Sequence, residues 1–168
     1  ARRPRLGELV QIDGSPHDWF EGRAPRCTLL VFVDDATSRI QAARFVAAET
    51  TAAYLDVVGE YIGRHGLPQA FYSDRHSIFR INAAESAKSS LTQFGRALAE
   101  LGIEGICANS PQAKGRVERA NGVLQDRLVK LMRLAGVASW DEGNAFLPEF
   151  LVDYNSRFAQ SPGEPEDA

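Results

Sequence analysis

Seven consecutive residues, Cys27-Thr-Leu-Leu-Val-Phe-Val33, form an apolar run that is too short for a helix and rich in strand formers. A chain that contains this run has to build a sheet around it. Leu9-Val-Gln-Ile-Asp13 supplies a short neighbouring strand closed by Gly14, and Ser15–Arg26, with Pro16, Gly22 and Pro25, reads as the loop between the two. Asp34-Asp35-Ala-Thr-Ser38 carries the side chains that close a turn, after which Arg39–Val46 returns as a third strand.

Helices alternate with strands from there on. Thr50 or Thr51 caps a helix in which Tyr54, Leu55, Val58, Tyr61 and Ile62 recur at helical spacing, and Gly66 followed by Pro68 stops it. Gln69–Ser73 is a fourth strand ending at Asp74, and Arg75–Ser89 has no periodicity and reads as a long loop or flap. Ser90 caps a second helix with Leu91, Phe94, Leu98 and Leu101 on one stripe and Gly102 as its stop. A fifth strand, Ile103–Ala108, follows, and the strand–helix–strand order predicts a parallel pair. Asn109-Ser-Pro111 starts a third helix with Val117, Leu124, Leu128, Leu131 and Ala135 on its apolar face. Ser139 and Glu142 form a capping box for a last helix through Leu147, Phe150, Leu151 and Tyr154, which Pro148 should kink or split. The fold class expected is α/β, a five-stranded mixed sheet with helices on both faces. Residues 1–7 read as a linker or cut end, 8–158 as one core and 159–168 as an acidic Pro/Gly tail.

Length and composition narrow the function classes. At 168 residues, 44% hydrophobic and 24% charged, the chain is one soluble domain rather than a disordered or fibrous one. No apolar run reaches the ~18 residues of a membrane span, and Ala1–Gly7 lacks the apolar stretch of a secretion signal. The expected location is the cytoplasm, with no membrane partner. Cys27 and Cys107 fall inside strand-like runs, which suits buried thiols in a reducing compartment. The net charge of −3 conceals an asymmetry. Ser110–Arg133 holds six basic residues, Lys114, Arg116, Arg119, Arg127, Lys130 and Arg133, against two acids, whereas Trp140–Ala168 holds seven acids against Arg157 alone. A basic stripe on a weakly acidic body points to contact with a polyanion.

Asp13 and Asp74 stand at the ends of two expected strands, and Glu118 lies in the first turns of a helix just after a third. Sites in open α/β sheets gather at strand ends, so three carboxylates from separate elements can converge there. Such a set repels itself unless cations intervene, and hard oxygen ligands suit Mg²⁺ or Mn²⁺. A turn-forming aspartate or a solvated helical glutamate is the plain alternative for each. Asp34 and Asp35 fit hairpin closure better than ligation. His76 could touch a phosphate or be a solvated loop residue, and Lys114, Arg119 and Asn121 sit within a turn or so of Glu118, where phosphate or base would lie. Trp19-Phe20 could stack a base, but packing beneath its loop is the stronger reading.

The residues also resemble a family. Gln11-Ile-Asp-Gly14, Tyr72-Ser-Asp74 and Asn109-Ser-Pro-Gln-Ala-Lys-Gly-Arg-Val-Glu-Arg-Ala-Asn121 are similar to the signature segments of the catalytic core shared by retroviral integrases and bacterial insertion-sequence transposases. The likeness runs from Leu9 to about Phe158, including Val33-Asp-Asp-Ala-Thr-Ser-Arg39 and Tyr154-Asn-Ser-Arg-Phe158, and is greatest to the ISNCY group. It implies a ribonuclease-H-like fold, with Asp13, Asp74 and Glu118 as an acidic triad holding two divalent ions, Mg²⁺ or Mn²⁺. The interval of 44 residues between Asp74 and Glu118 is longer than in the retroviral members, and the excess falls in Arg75–Ser89.

The function implied is cleavage at a transposon end, followed by attack of the freed 3′-hydroxyl on target DNA. Lys114, Arg116, Arg119, Asn121 and His76 would meet the DNA, and the active assembly would pair at least two copies. The absence of a convincing Ser-His or Cys-His pair agrees with metal-assisted transfer. Two alternatives stay open at this point: a stand-alone nuclease of the same fold, which cuts without joining, and a non-catalytic dimerisation or interaction module, which would not bind metal. No base-reading motif is recognisable, so end recognition is expected outside these residues.

Overall fold

A computed structural model of the chain describes residues 2–73, 80–82, 89–107, 115–165 and 167–168. Strands β1 (Leu9–His17), β2 (Cys27–Asp34) and β3 (Ile40–Val46) precede helix α1 (Thr51–His65) and strand β4 (Ala70–Ser73). Then come β5 (Arg80–Asn82), β6 (Ser89–Leu91), α2 (Gln93–Glu100), β7 (Glu104–Cys107), α3 (Gly115–Ala135) and α4 (Trp140–Phe158). The main sheet has the order β3-β2-β1-β4-β7, antiparallel among the first three strands and parallel from β1 to β7. The five-stranded mixed sheet is therefore as expected.

β2 explains the layering. All eight of its residues are buried, and successive side chains point to opposite faces. Leu29, Val31 and Val33 enter one core with Val117, Leu124, Leu128 and Met132 of α3 and Leu147, Phe150 and Tyr154 of α4. Leu30 and Phe32 enter the other with Tyr54, Val57, Val58 and Tyr61 of α1 and Phe94 and Leu98 of α2. Thr50 caps α1 by accepting the Ala53 amide at 3.1 Å, and Gly66 ends it at φ 80°, a backbone region that favours glycine.

Several local expectations are corrected. β1 does not close at Gly14 but pairs with β2 as far as His17. Among the described residues β4 pairs with β1 at Leu9–Gln11, and β2 pairs with it on through Gly14 and Pro16. The aperiodic stretch contains β5, and Ser89–Leu91 pairs with it antiparallel, which commits Ser90 to a ladder opposite Ile81. Thr92 therefore caps α2, its Oγ1 accepting the Gly95 amide at 3.0 Å. Leu101 is exposed because it is the residue that caps the end of α2, and Leu131 and Ala135 are exposed because the buried stripe of α3 runs through Leu124, Leu128 and Met132 instead. The helix start expected at Asn109–Pro111 lies outside the described residues.

α4 continues through Pro148 without a break. It covers the open edge of the sheet. Asn144 accepts the Phe45 amide (2.7 Å) and donates to its carbonyl (3.2 Å), and Asn155 does the same for Ile40 (2.9 and 3.0 Å). Two side-chain amides thus stand in for a further strand beside β3. The same helix approaches Phe20 so closely that a β-carbon on Gly143 would lie 2.7 Å from its ring and 3.0 Å from that of Phe45. Gly143→Ala is expected to cost ~2 kcal/mol and lower Tm by ~6 °C, measured by calorimetry.

Trp19 and Phe20 are fully buried, the Trp19 indole donating to the Ser15 carbonyl at 2.9 Å and meeting Phe45 edge-on. The packing reading of this pair holds. Asp34 closes the β2–β3 turn, also as expected, accepting from the Thr37 amide and hydroxyl. Residues 2–7 lie against that turn, with Gly7 donating to Asp34 and the Arg3 amide to Asp35. The tail joins them through an Arg5–Glu164 ion pair (2.7 Å) and a Glu164 amide bond to the Pro4 carbonyl (2.8 Å).

Candidate active site

Alternation along β1 sends Val10 and Ile12 into the α1/α2 core and leaves Gln11, Asp13 and Ser15 on the face beneath α3. α3 answers at every fourth residue. Gln11 Oε1 accepts the Val117 amide (3.2 Å), Asp13 Oδ2 accepts from Asn121 Nδ2 (3.0 Å), and Ser15 Oγ accepts from Gln125 Nε2 (3.1 Å). Three polar rungs therefore join a strand and a helix that run in the same direction.

The middle rung holds the first of the expected acids. Asp13 is half-buried and sits within β1 rather than at its end. Glu118 follows Val117 directly and precedes Asn121 by three residues, which puts it beside Asn121 on the helix surface. It is exposed and lies in the first turn, where the helix dipole favours an anion. Asn121, expected to meet phosphate or base, is instead nine-tenths buried with its Nδ2 on Asp13, and its Oδ1 is a buried oxygen with no hydrogen-bond partner among the described residues. Arg119 is exposed. Arg116 turns to the β2–β3 turn, where its Nε lies 2.8 Å from Asp35 Oδ1 and 2.9 Å from the Asp35 carbonyl. Asp74, His76 and Lys114 lie outside the described residues.

The bonding roles of Gln11, Ser15, Gln125 and the Arg116–Asp35 pair are not assigned by the sequence alone. A signal was present, since Gln11, Asp13 and Ser15 are polar residues at every second position of an otherwise apolar strand. The far end of α3 is held as well, by Arg133, whose Nε and Nη2 donate to the two Glu21 oxygens at 2.7 and 2.6 Å. Those bonds, with smaller help from Arg23, hold the Glu21 carboxyl at a pKa of about 2, below its usual 4.5. A depressed pKa stabilises the fold above pH 4.5, and the gain is lost as pH falls from there to about 2. Glu21→Gln is thus expected to lower Tm at pH 6 and to match the unaltered protein at pH 2, in melts across that range.

The sheet order, the flanking helices and an aspartate inside the first strand beneath a glutamate-bearing helix give the fold of an integrase catalytic core. The HTLV-2 integrase catalytic core domain, solved in complex with magnesium in a trimeric form, superposes with a TM-score of 0.63 over 86% of this chain and 84% of that one, at 19% identity. No family model matches the chain. Two of its sequence relatives are transposases. “Putative transposase y4bF” of Sinorhizobium fredii is 55% identical over 99% of the chain, and the transposase for insertion sequence IS1202 of Streptococcus pneumoniae is 39% identical over 93%. The chain spans about a third of the length of each, 36% and 34%. It is a homologue of that segment of insertion-sequence transposases.

Proposed function

We propose that this chain is the catalytic core of a DNA transposase, in which Asp13, Asp74 and Glu118 hold two divalent ions, Mg²⁺ or Mn²⁺, for strand cleavage and strand transfer. The observation that carries the reading is the middle rung, which ties Asp13 of the sheet to Asn121, within one helical turn of Glu118. The pairs Leu9–Ala70, Val10–Phe71 and Gln11–Tyr72 share an offset of 61, the interval that also separates Asp13 from Asp74 in the sequence. Hard anionic oxygens and Asn121 Oδ1, which has no partner among the described residues, are donors that fit such ions or their waters. When bound, the ions activate a water or hydroxyl and stabilise the leaving oxygen of an in-line phosphoryl transfer. Asn121 orients Asp13, and the carboxylates fix where the scissile phosphate can sit.

DNA, as transposon end and as target, is the partner of this reading. Lys114, Arg119 and His76 would contact its phosphates near the acids. Arg116 is left out of that set because Asp35 engages its guanidinium. Replacing Lys114 and Arg119 with neutral residues is expected to weaken binding to any duplex and to flatten the log-affinity against log-salt slope by ~0.9 for each phosphate no longer neutralised, measured by fluorescence anisotropy. Unchanged slopes would place the DNA elsewhere. The active assembly pairs at least two copies, a reading supported by the dimeric and trimeric forms of the HTLV-2 core. No helix among the described residues is long and apolar enough to cross a membrane. The test is incubation with Mg²⁺ or Mn²⁺ and a labelled, pre-nicked DNA end, scored for cut and joined strands. Joined product supports a transposase core, and cutting alone would make the chain a nuclease of the same fold.

A further inference from the structure

We infer that Gln11 is a positioning residue that, with the Asp35–Arg116 pair behind it, sets the height of Glu118 over Asp13; the inference rests on the metal-holding reading above. Gln11 is 3% exposed, with both ends of its side-chain amide engaged. Its Oε1 accepts the amide of Val117, in the first turn of α3 as described from Gly115. Its Nε2 donates to Asp35 Oδ1 at 3.2 Å.

The orientation of that amide follows from Asp35. A carboxylate only accepts, so it requires the NH₂ end of Gln11 on its side and leaves the oxygen facing Val117. Arg116 holds Asp35 from the helix side at 2.8 Å, and the Arg3 amide reaches the other oxygen at 2.7 Å. These bonds close a circuit: Arg116 to Asp35, Asp35 to Gln11, Gln11 to Val117, and Val117 back to Arg116 along the chain. Glu118 is the next residue.

Gln11 and Asp13 are two residues apart on one strand face, so the strand that carries one acid also sets where the helix carrying another begins. Octahedral Mg²⁺ tolerates oxygen displacements of only a few tenths of an ångström, and a site of this kind works within ~0.5 Å of its geometry. A hydrogen-bonded stop two residues from Asp13 is a device suited to that tolerance.

The test compares Gln11→Met, which keeps the length but neither accepts nor donates, with Gln125→Met, which removes the Ser15 rung two turns further along α3. Both remove one strand-to-helix bond, and melts check that they lower stability alike. Mn²⁺ binding is read from the paramagnetic resonance of the free ion, and exchange of the Val117 amide by NMR. Gln11→Met is expected to weaken Mn²⁺ binding at least fivefold and speed Val117 exchange at least tenfold, while Gln125→Met leaves both within twofold. Asp35→Asn keeps the shape of the circuit, can present an NH₂ to Gln11, and reads the same effect should Gln11→Met fail to fold. Mn²⁺ binding within twofold of the unaltered protein in Gln11→Met or Asp35→Asn, or equal weakening in Gln125→Met, overturns the inference alone. Absence of Mn²⁺ binding in the unaltered protein overturns the reading of the site and this inference with it.

Discussion

Asparagine at position 13 or 74, or glutamine at position 118, is expected to lower metal-dependent DNA cleavage by ~10³-fold or more while leaving the melting temperature nearly unchanged. Each change removes an anionic oxygen from the metals at almost constant volume. For Asp13→Asn the reason the fold survives is visible: Asn121 donates to a side-chain oxygen at 3.0 Å, and an amide still offers one. Glu118 is exposed and carries no packing load. Initial rates on a pre-nicked end, with melts of the same preparations, check this. Full activity in any of the three removes that residue from the set.

Asp34→Ala should do the reverse, costing ~4 kcal/mol and lowering Tm by ~12 °C through unsatisfied donors rather than through the chemistry of the site. Asp34 is wholly buried at the end of β2. Its carboxylate accepts the Gly7 amide (2.9 Å), the Thr37 amide (3.0 Å) and the Thr37 hydroxyl (2.8 Å). Burial pushes its pKa up, and those three donors pull against the shift. An alanine strands all three donors in a buried site and removes the tie between Gly7 and the turn. Urea titration reads the loss, and a change under 1 kcal/mol would mean that the turn closes without Asp34.

Elements set by local chemistry were legible in the sequence. β2 announced itself by an unbroken apolar run, and α1 by Thr50, its periodic face and Gly66. What was not legible depended on partners far along the chain. The extension of β1 past Gly14 comes from β2, which continues to pair where the local sequence suggests a turn. Ser90 has the chemistry of a helix cap, but pairing with β5 takes it, and the cap passes to Thr92. Pro148 is tolerated in a helix whose Asn144 and Asn155 grip β3, a restraint invisible to local rules. The Glu118 segment was readable as a motif, and Asp13 as an acid on a strand. The bonds that align them were not, because Gln11, Ser15 and Gln125 look like ordinary polar residues until strand and helix are laid together.

The three rungs between β1 and α3 behave as a vernier. Four helical residues advance ~6.0 Å and two strand residues ~6.7 Å, so the two scales drift by ~0.7 Å at each mark. They coincide best at the centre, and the observed bonds, 3.2, 3.0 and 3.1 Å, are shortest there, at Asp13 and Asn121. The next graduation would set His17 against Val129, an apolar side chain, so the scale ends where the mismatch has grown. A slip of one turn would bring Asp13 to Gln125, Ser15 to Val129 and Gln11 to Asn121, and the Val117 amide would lose its acceptor. Two rulers of unequal spacing agree at one setting only, and here that setting is read at an aspartate.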